Sequence, residues 1–168
     1  NLGVEKLSQL LGEILLERGK LDQASLDRAL QAQVTLREEG GSEKLGAILL
    51  RLGMVSGRDL AEALAFQKDW IIAAPTEFPE LPILEEKISA RFIKEYQVIP
   101  LAESESEVAV AMADPADPYA TQALSLATGR SITAKLLSPA DFETQFEKLY
   151  GAGKSSMGQI VDNIATRE

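Results

Sequence analysis

Leu11-Gly12-Glu13-Ile14-Leu15-Leu16-Glu17-Arg18-Gly19 is followed, 34 residues later, by Leu45-Gly46-Ala47-Ile48-Leu49-Leu50-Arg51-Leu52-Gly53. The match continues with Leu26, Ala29, Leu30 and Gln33 against Leu60, Ala63, Leu64 and Gln67, which makes ten identities over the 23 positions from Leu11 to Gln33. Chance supplies roughly two, so this is an internal repeat. Each copy predicts helix, tight turn, helix, because its leucines recur at three- and four-residue spacing on either side of a glycine.

The turns carry their own signals. Gly19 and Gly53 stand where a helix end needs a left-handed residue, and Asp22 and Ser56 are placed to cap the helices that follow. Leu21 with Leu26, and Val55 with Leu60, are spaced as hydrophobic staples, and Asp59 has the spacing of a capping box. Leu26 and Leu30, like Leu60 and Leu64, are expected to pack on the Leu11/Leu15 and Leu45/Leu49 faces, giving a small four-helix bundle. Arg37 to Glu43, with Gly40 and Gly41, reads as a polar connector long enough to let the two hairpins rotate.

Beyond Trp70 the pattern changes. Pro75, Pro79 and Pro82 exclude a continuous helix over 74–84. A helix is predicted from about Glu85 to Tyr96, with Ile88, Phe92 and Ile93 or Tyr96 inward. Val98–Leu101 and Val108–Met112 predict a β-hairpin around the acidic stretch 103–107. Asp117 and Pro118 open a helix that Gly129 ends, Ile132–Leu137 predicts a third strand, and Ser138-Pro139 opens a last helix to about Tyr150. Trp70–Ala73 is a candidate for one more strand. The expected architecture is α+β: a four-helix bundle of two hairpins over residues 1–70, then a small α/β sandwich with a mainly antiparallel sheet over 71–150, then a linker over 151–168.

Composition removes whole classes of chemistry. The 168 residues are 45% hydrophobic and 26% charged, a globular composition, and they include no cysteine and no histidine. Disulfides, Cys/His zinc sites, cysteine nucleophiles and Ser-His-Asp triads are therefore excluded. Net charge is -9, with residues 1–70 at 9 basic and 11 acidic and residues 71–168 at 8 and 15. That balance disfavours nucleic acid and direct contact with an anionic membrane. Apolar runs are far shorter than the roughly 20 residues of a membrane span, and Asn1–Lys6 has no secretory pattern, so the expected location is cytoplasmic.

Several motifs have plain structural readings. Gly151-Ala152-Gly153-Lys154-Ser155 ends like a phosphate-binding loop, but Lys148 occupies the position of that loop's first glycine and a helix, not a strand, precedes it. Asp114 and Asp117 fall short of a calcium ligand set and suit turn and cap roles. The acidic stretch 103–107 reads as a solvated turn or as a contact for a basic partner. Phe66 and Trp70 read as a core plug between the two parts. The 34-residue period equals that of tetratricopeptide arrays, yet only two copies occur and the Tyr, Phe and Pro signature is missing. No constellation supports a self-contained enzyme.

Written out as Leu-Gly-x-x-Leu-x-x-x-Gly-x(6)-Leu-x-x-x-Leu-x-x-Gln from Leu11 and again from Leu45, the repeat resembles the N-terminal domain of the secretion ATPases, the motors of type II secretion and type IV pilus assembly. Phe92–Leu101, Val110–Pro118 and Ala127-Thr128-Gly129 are similar to that family's α+β segment, so the resemblance covers about residues 7–151. It implies a domain that precedes an ATPase core, without ATPase activity of its own, in a hexameric parent. Its implied role is docking to the cytoplasmic part of an inner-membrane platform protein, which places it peripheral to that membrane.

The duplicated motif also resembles this family's cyclic di-GMP receptor module. The resemblance implies a ligand site formed by Leu11, Gly12, Gly19, Leu26, Gln33, Lys44, Leu45, Gly46, Gly53, Leu60 and Gln67. A Leu-Gly at a helix start brings backbone N–H groups near a phosphate, leucines cover guanine faces, and the two glutamines both donate and accept hydrogen bonds. Leu10 stands where the motif calls for a cation, whereas the second copy has Lys44, and the spacer 34–43 is longer than in the receptor form. Leucine cannot fork onto a phosphate or a guanine edge as arginine does. The missing cation inclines the reading to a secretion rather than a pilus system. No resident cofactor or metal is expected.

Overall fold

The computed structural model describes residues 2–151, which divide after Trp70 into two compact units. The expected linker and its short helix, from residue 152 onward, lie outside the described residues.

The first unit holds α1 (Leu2–Glu17), α2 (Gln23–Glu38), α3 (Leu45–Arg51) and α4 (Gly57–Lys68). Both repeat turns close as the glycines predict. Gly19 (φ 69°) and Gly53 (φ 72°) are left-handed, and the amides of Lys20 and Met54 donate to the carbonyls of Leu15 and Leu49, 2.9 Å each. These are Schellman ends. Asp22 accepts from the Ser25 amide at 2.7 Å and Ser56 from the Asp59 amide at 3.1 Å. No reciprocal bond from Asp59 completes a capping box; its carboxylate lies 3.6 Å from Lys20 Nζ.

The hairpins do not pack as independent pairs. α1 lies chiefly on α4 and α2 chiefly on α3. Leu11, Leu15, Leu21 and Leu26 of one copy and Leu45, Ile48, Leu49, Val55 and Leu60 of the other form one core. With seven residues, α3 is too short to bury its leucines against its own partner helix alone, and crossing the copies covers them. That shared core replaces the expected freedom of the hairpins to rotate.

The second unit holds α5 (Ala90–Tyr96), β1 (Val98–Glu103), β2 (Glu107–Met112), α6 (Pro118–Thr128), β3 (Ser131–Leu136) and α7 (Pro139–Tyr150), with a 3-10 turn at Pro75–Glu77. β1 and β2 are antiparallel, with a bulge between Pro100 and Ala102, whereas β3 pairs with β2 in parallel, Val108 opposite Ile132. The sheet is therefore mixed rather than mainly antiparallel. The cause is α6, which carries the chain back so that β3 starts at the same end as β2. Trp70–Ala73 contributes a single parallel bridge, Ile72 to Leu136, rather than a strand.

α5 begins five residues later than the predicted Glu85. Leu84 takes a left-handed conformation (φ 59°), its carbonyl accepts from the amides of Lys87 and Ile88, and Ser89 caps the helix through the Phe92 amide at 3.1 Å. A serine with a free choice between interior and cap takes the cap. Ile88 and Ile93 are buried as expected, and with Phe142, Leu149 and the inner faces of the strands they make the core of this unit.

Candidate functional site

The motif leucines and glycines are explained first by packing. A Cβ built on Gly12 falls 2.8 Å from Leu26 Cδ1, and one on Gly46 falls 3.1 Å from Leu60 Cδ1 and 3.6 Å from Leu11 Cδ2. In each copy the glycine lets the second helix's leucine lie directly on the first helix's backbone. Leu11, Gly12, Leu26, Leu45, Gly46 and Leu60 are all buried.

Gly19, Gly53 and Lys44 are exposed, and Gln67 is half-buried. Gln33 is buried, and its Nε2 donates to the Glu43 carbonyl at 3.0 Å, tying α2 to the connector just before α3. Glu43 in turn takes a two-pronged bond from Arg51, Nη2 to Oε1 at 2.8 Å and Nε to Oε2 at 3.3 Å. That bond holds the Glu43 carboxyl below its ordinary range and raises the Arg51 guanidinium. Sequence reading missed this brace, because an eight-residue spacing across a loop and a helix carries no local signature.

The two copies differ at the point where chemistry was expected. Leu45-Gly46 opens α3 behind Lys44, which occupies the N-cap position with no side-chain cap bond. Leu11-Gly12 sits inside α1, which starts at Leu2. The expectation of a helix start therefore fails for the first copy: its amides are in the helix interior, where they serve the helical ladder. Leu10, 41% exposed, is an apolar surface residue at the position matching Lys44.

Other candidates resolve into local structure. Asp114 accepts from the Ala116 amide at 3.1 Å, and Asp117 from the Tyr119 and Ala120 amides at 3.0 and 3.2 Å, so both carboxylates shape the turn and cap of α6. Gly151 follows the helix α7, and the remainder of the phosphate-loop look-alike lies outside the described residues. Phe66 is 68% exposed, with the Arg18 guanidinium of its own unit 5.2 Å from its ring centre. In the second unit Glu77 bonds Lys135 and accepts from the Ala74 amide at 2.7 Å, and the two together hold its carboxyl below the ordinary range. Burial pushes the Tyr150 hydroxyl up, with Glu85 adding to the shift.

A duplicated, interlocked helical repeat followed by a small mixed sheet wrapped by three helices defines a domain of the kind that stands at the N-terminus of secretion and pilus ATPases. The chain belongs to the MshEN domain family, whose model matches residues 59–156. Type II secretion system protein E of Xanthomonas campestris pv. campestris is 35% identical over 154 residues, covering 89% of this chain and 26% of that protein. Bacteriophage adsorption protein B of Escherichia coli K12 is 34% identical over 124 residues, 73% of this chain and 16% of that protein. The chain thus spans about a quarter of the first relative and about a sixth of the second.

Among solved structures, the N-terminal domain of XpsE superposes with a TM-score of 0.63 at 31% identity, covering 86% of this chain and 96% of that one. MshE with cdg superposes with a TM-score of 0.62 at 24% identity, covering 83% and 98%, a likeness of fold.

Proposed function

We propose that this chain is a noncatalytic docking and regulatory domain of a type II secretion ATPase, coupling the motor to an inner-membrane platform protein at the cytoplasmic face. One observation carries the reading: a chain of this family aligns over 89% of its length with a quarter of type II secretion system protein E. The rest of such a parent leaves room for an ATPase core and its hexameric assembly. The adsorption protein places the same sequence pattern in a protein of another name, but over less of this chain. Among the described residues no helix is long and apolar enough to cross a membrane, so attachment through a partner suits the domain. Deleting residues 1–150 from the parent ATPase is expected to release it from the membrane fraction, and unchanged recruitment overturns the reading.

A second reading, regulation by cyclic di-GMP, draws on the duplicated motif and on the likeness of fold to MshE with cdg. In it the two copies of the motif meet the two halves of the ligand, the buried leucines and glycines setting the helix positions and Lys44 supplying the cation of one half only. In calorimetric titration, Leu10→Arg is expected to tighten binding by roughly tenfold and Lys44→Leu to weaken it by roughly as much, since each adds or removes one charge-assisted contact. The double change Gln33→Ala, Gln67→Ala is expected to remove binding while the variant stays folded. An absence of heat with the unmodified chain leaves the repeat as a bundle and removes this second reading.

A further inference from the structure

α6, Pro118–Thr128, is the one helix among those described that contains no charged residue. Its inward face is fixed: Ala120, Leu124 and Thr128 are buried at four-residue spacing, and the helix packs on β3. At 100° per residue, Tyr119, Gln122 and Leu126 fall on the opposite side. Leu126 is 80% exposed and Tyr119 62% exposed. A helix on the surface of a strongly charged chain ordinarily presents charge outward. Here it presents a leucine and a tyrosine two turns apart.

The face is also rigid. Asp117 caps the helix, Pro118 occupies its first position, Gly129 ends it at φ 70°, and the Thr128 hydroxyl donates to the Leu124 carbonyl at 2.8 Å. The Tyr119 ring lies 5.5 Å from Tyr96, which lies 4.6 Å from Phe92. A partner meeting this surface pays little to order it, and a supported tyrosine beside an exposed leucine has the makeup of an interface anchor.

Charge selects the occupant. Asp114 and Asp117 stand at the start of α6. Beyond its end the Ser131 amide donates to the Ser106 carbonyl at 3.1 Å, which holds the acidic turn 103–107 against the exit of the helix. Arg130 pairs with Glu103 at 2.9 Å, while Glu105 and Glu107 have no ion pair among the described residues. The uncharged face is thus bounded by carboxylates at both ends. Residues 71–151 carry 6 basic and 13 acidic groups, net -7, so two copies meeting here bring like charges together.

We propose that the outward face of α6 is the docking surface for a segment of the platform protein's cytoplasmic domain that is apolar at its centre and carries Lys or Arg at both flanks. This rests on the docking reading above and names its surface and the chemistry of its partner. It gives the acidic turn 103–107 a role in steering the basic flanks.

The test is calorimetric titration of the full chain with the purified cytoplasmic domain of the platform protein from the same secretion system. Leu126→Asp is expected to weaken binding by roughly tenfold or more, with circular dichroism and melting temperature unchanged. Leu81→Asp, at another exposed leucine of the same unit, is expected to bind as the unmodified chain does. Glu105→Lys with Glu107→Lys is expected to slow association and flatten its salt dependence. Unchanged affinity of Leu126→Asp overturns this face and leaves the docking reading standing. No binding by the unmodified chain overturns the docking reading, and this proposal with it. Self-association in sedimentation equilibrium that Leu126→Asp abolishes assigns the face to a second copy and overturns the proposed occupant.

Discussion

The two copies of the repeat share ten residues and diverge in what those residues do. In the second, Leu45-Gly46 begins the short helix α3, with Lys44 at its cap and the Glu43–Arg51 brace beside it. In the first, Leu11-Gly12 lies within a helix of 16 residues, and Leu10 replaces the cation. The shared positions are the ones that pack: each glycine under a leucine, each turn glycine left-handed. The positions that reach the surface have drifted apart. Identity within this repeat therefore records mostly the core and the turns, while the cation position, Leu10 against Lys44, is where the copies differ.

The largest effect is expected from emptying the two halves of the shared core in turn. Leu15 and Leu49 are both fully buried. Leu15→Ala and Leu49→Ala are each expected to cost about 2–5 kcal/mol in urea unfolding, and to do so alike. A much smaller loss for one shows that the copies do not share a single core.

The motif glycines give a smaller effect. Gly12→Val and Gly46→Val are expected to cost about 1–3 kcal/mol each through overpacking, with Gly12→Val the worse, because its new side chain meets Leu26 at 2.8 Å where Gly46 leaves 3.1 Å to Leu60. The opposite order, measured the same way, shows that Leu26 turns aside more easily than Leu60.

The smallest effect concerns pH. Glu43 is held below its ordinary value of 4.5 by the Arg51 bond, so the pair stabilises the fold above that value and loses its effect as pH falls through the lowered folded-state value. Glu43 is at the surface, so solvent screens the pair. Melting temperatures of the unmodified chain and Glu43→Gln are expected to differ slightly at neutral pH and to converge on acidification below 4.5. A gap that widens with acid shows that the brace acts through shape rather than charge.

Much of the fold was legible in the chain. Asp22, Ser56, Asp117 and Ser138 were readable as caps, and Gly19, Gly53 and Gly129 as helix ends, because capping and left-handed turns are decided within four or five residues. The hairpin of β1 and β2 was readable from two β-branched runs around a polar turn. The candidate ligand site was legible only as a list of residues. Whether Leu11-Gly12 opens a helix depends on where α1 starts, and neither Leu10 nor Lys44 offers a capping side chain, so the residue before the pair does not tell the copy that starts a helix from the one that does not.

The repeat, the turns, the caps and the α+β order are written in the order of residues, all consequences of local backbone preference and apolar spacing. Long-range packing settled that α1 pairs with α4 and α2 with α3, that β3 runs parallel to β2, and that α5 begins at Ala90 behind its Ser89 cap rather than at Glu85. Those choices turn on which apolar faces cover one another. That is a property of surfaces meeting across long stretches of chain, and no short window of residues encodes it.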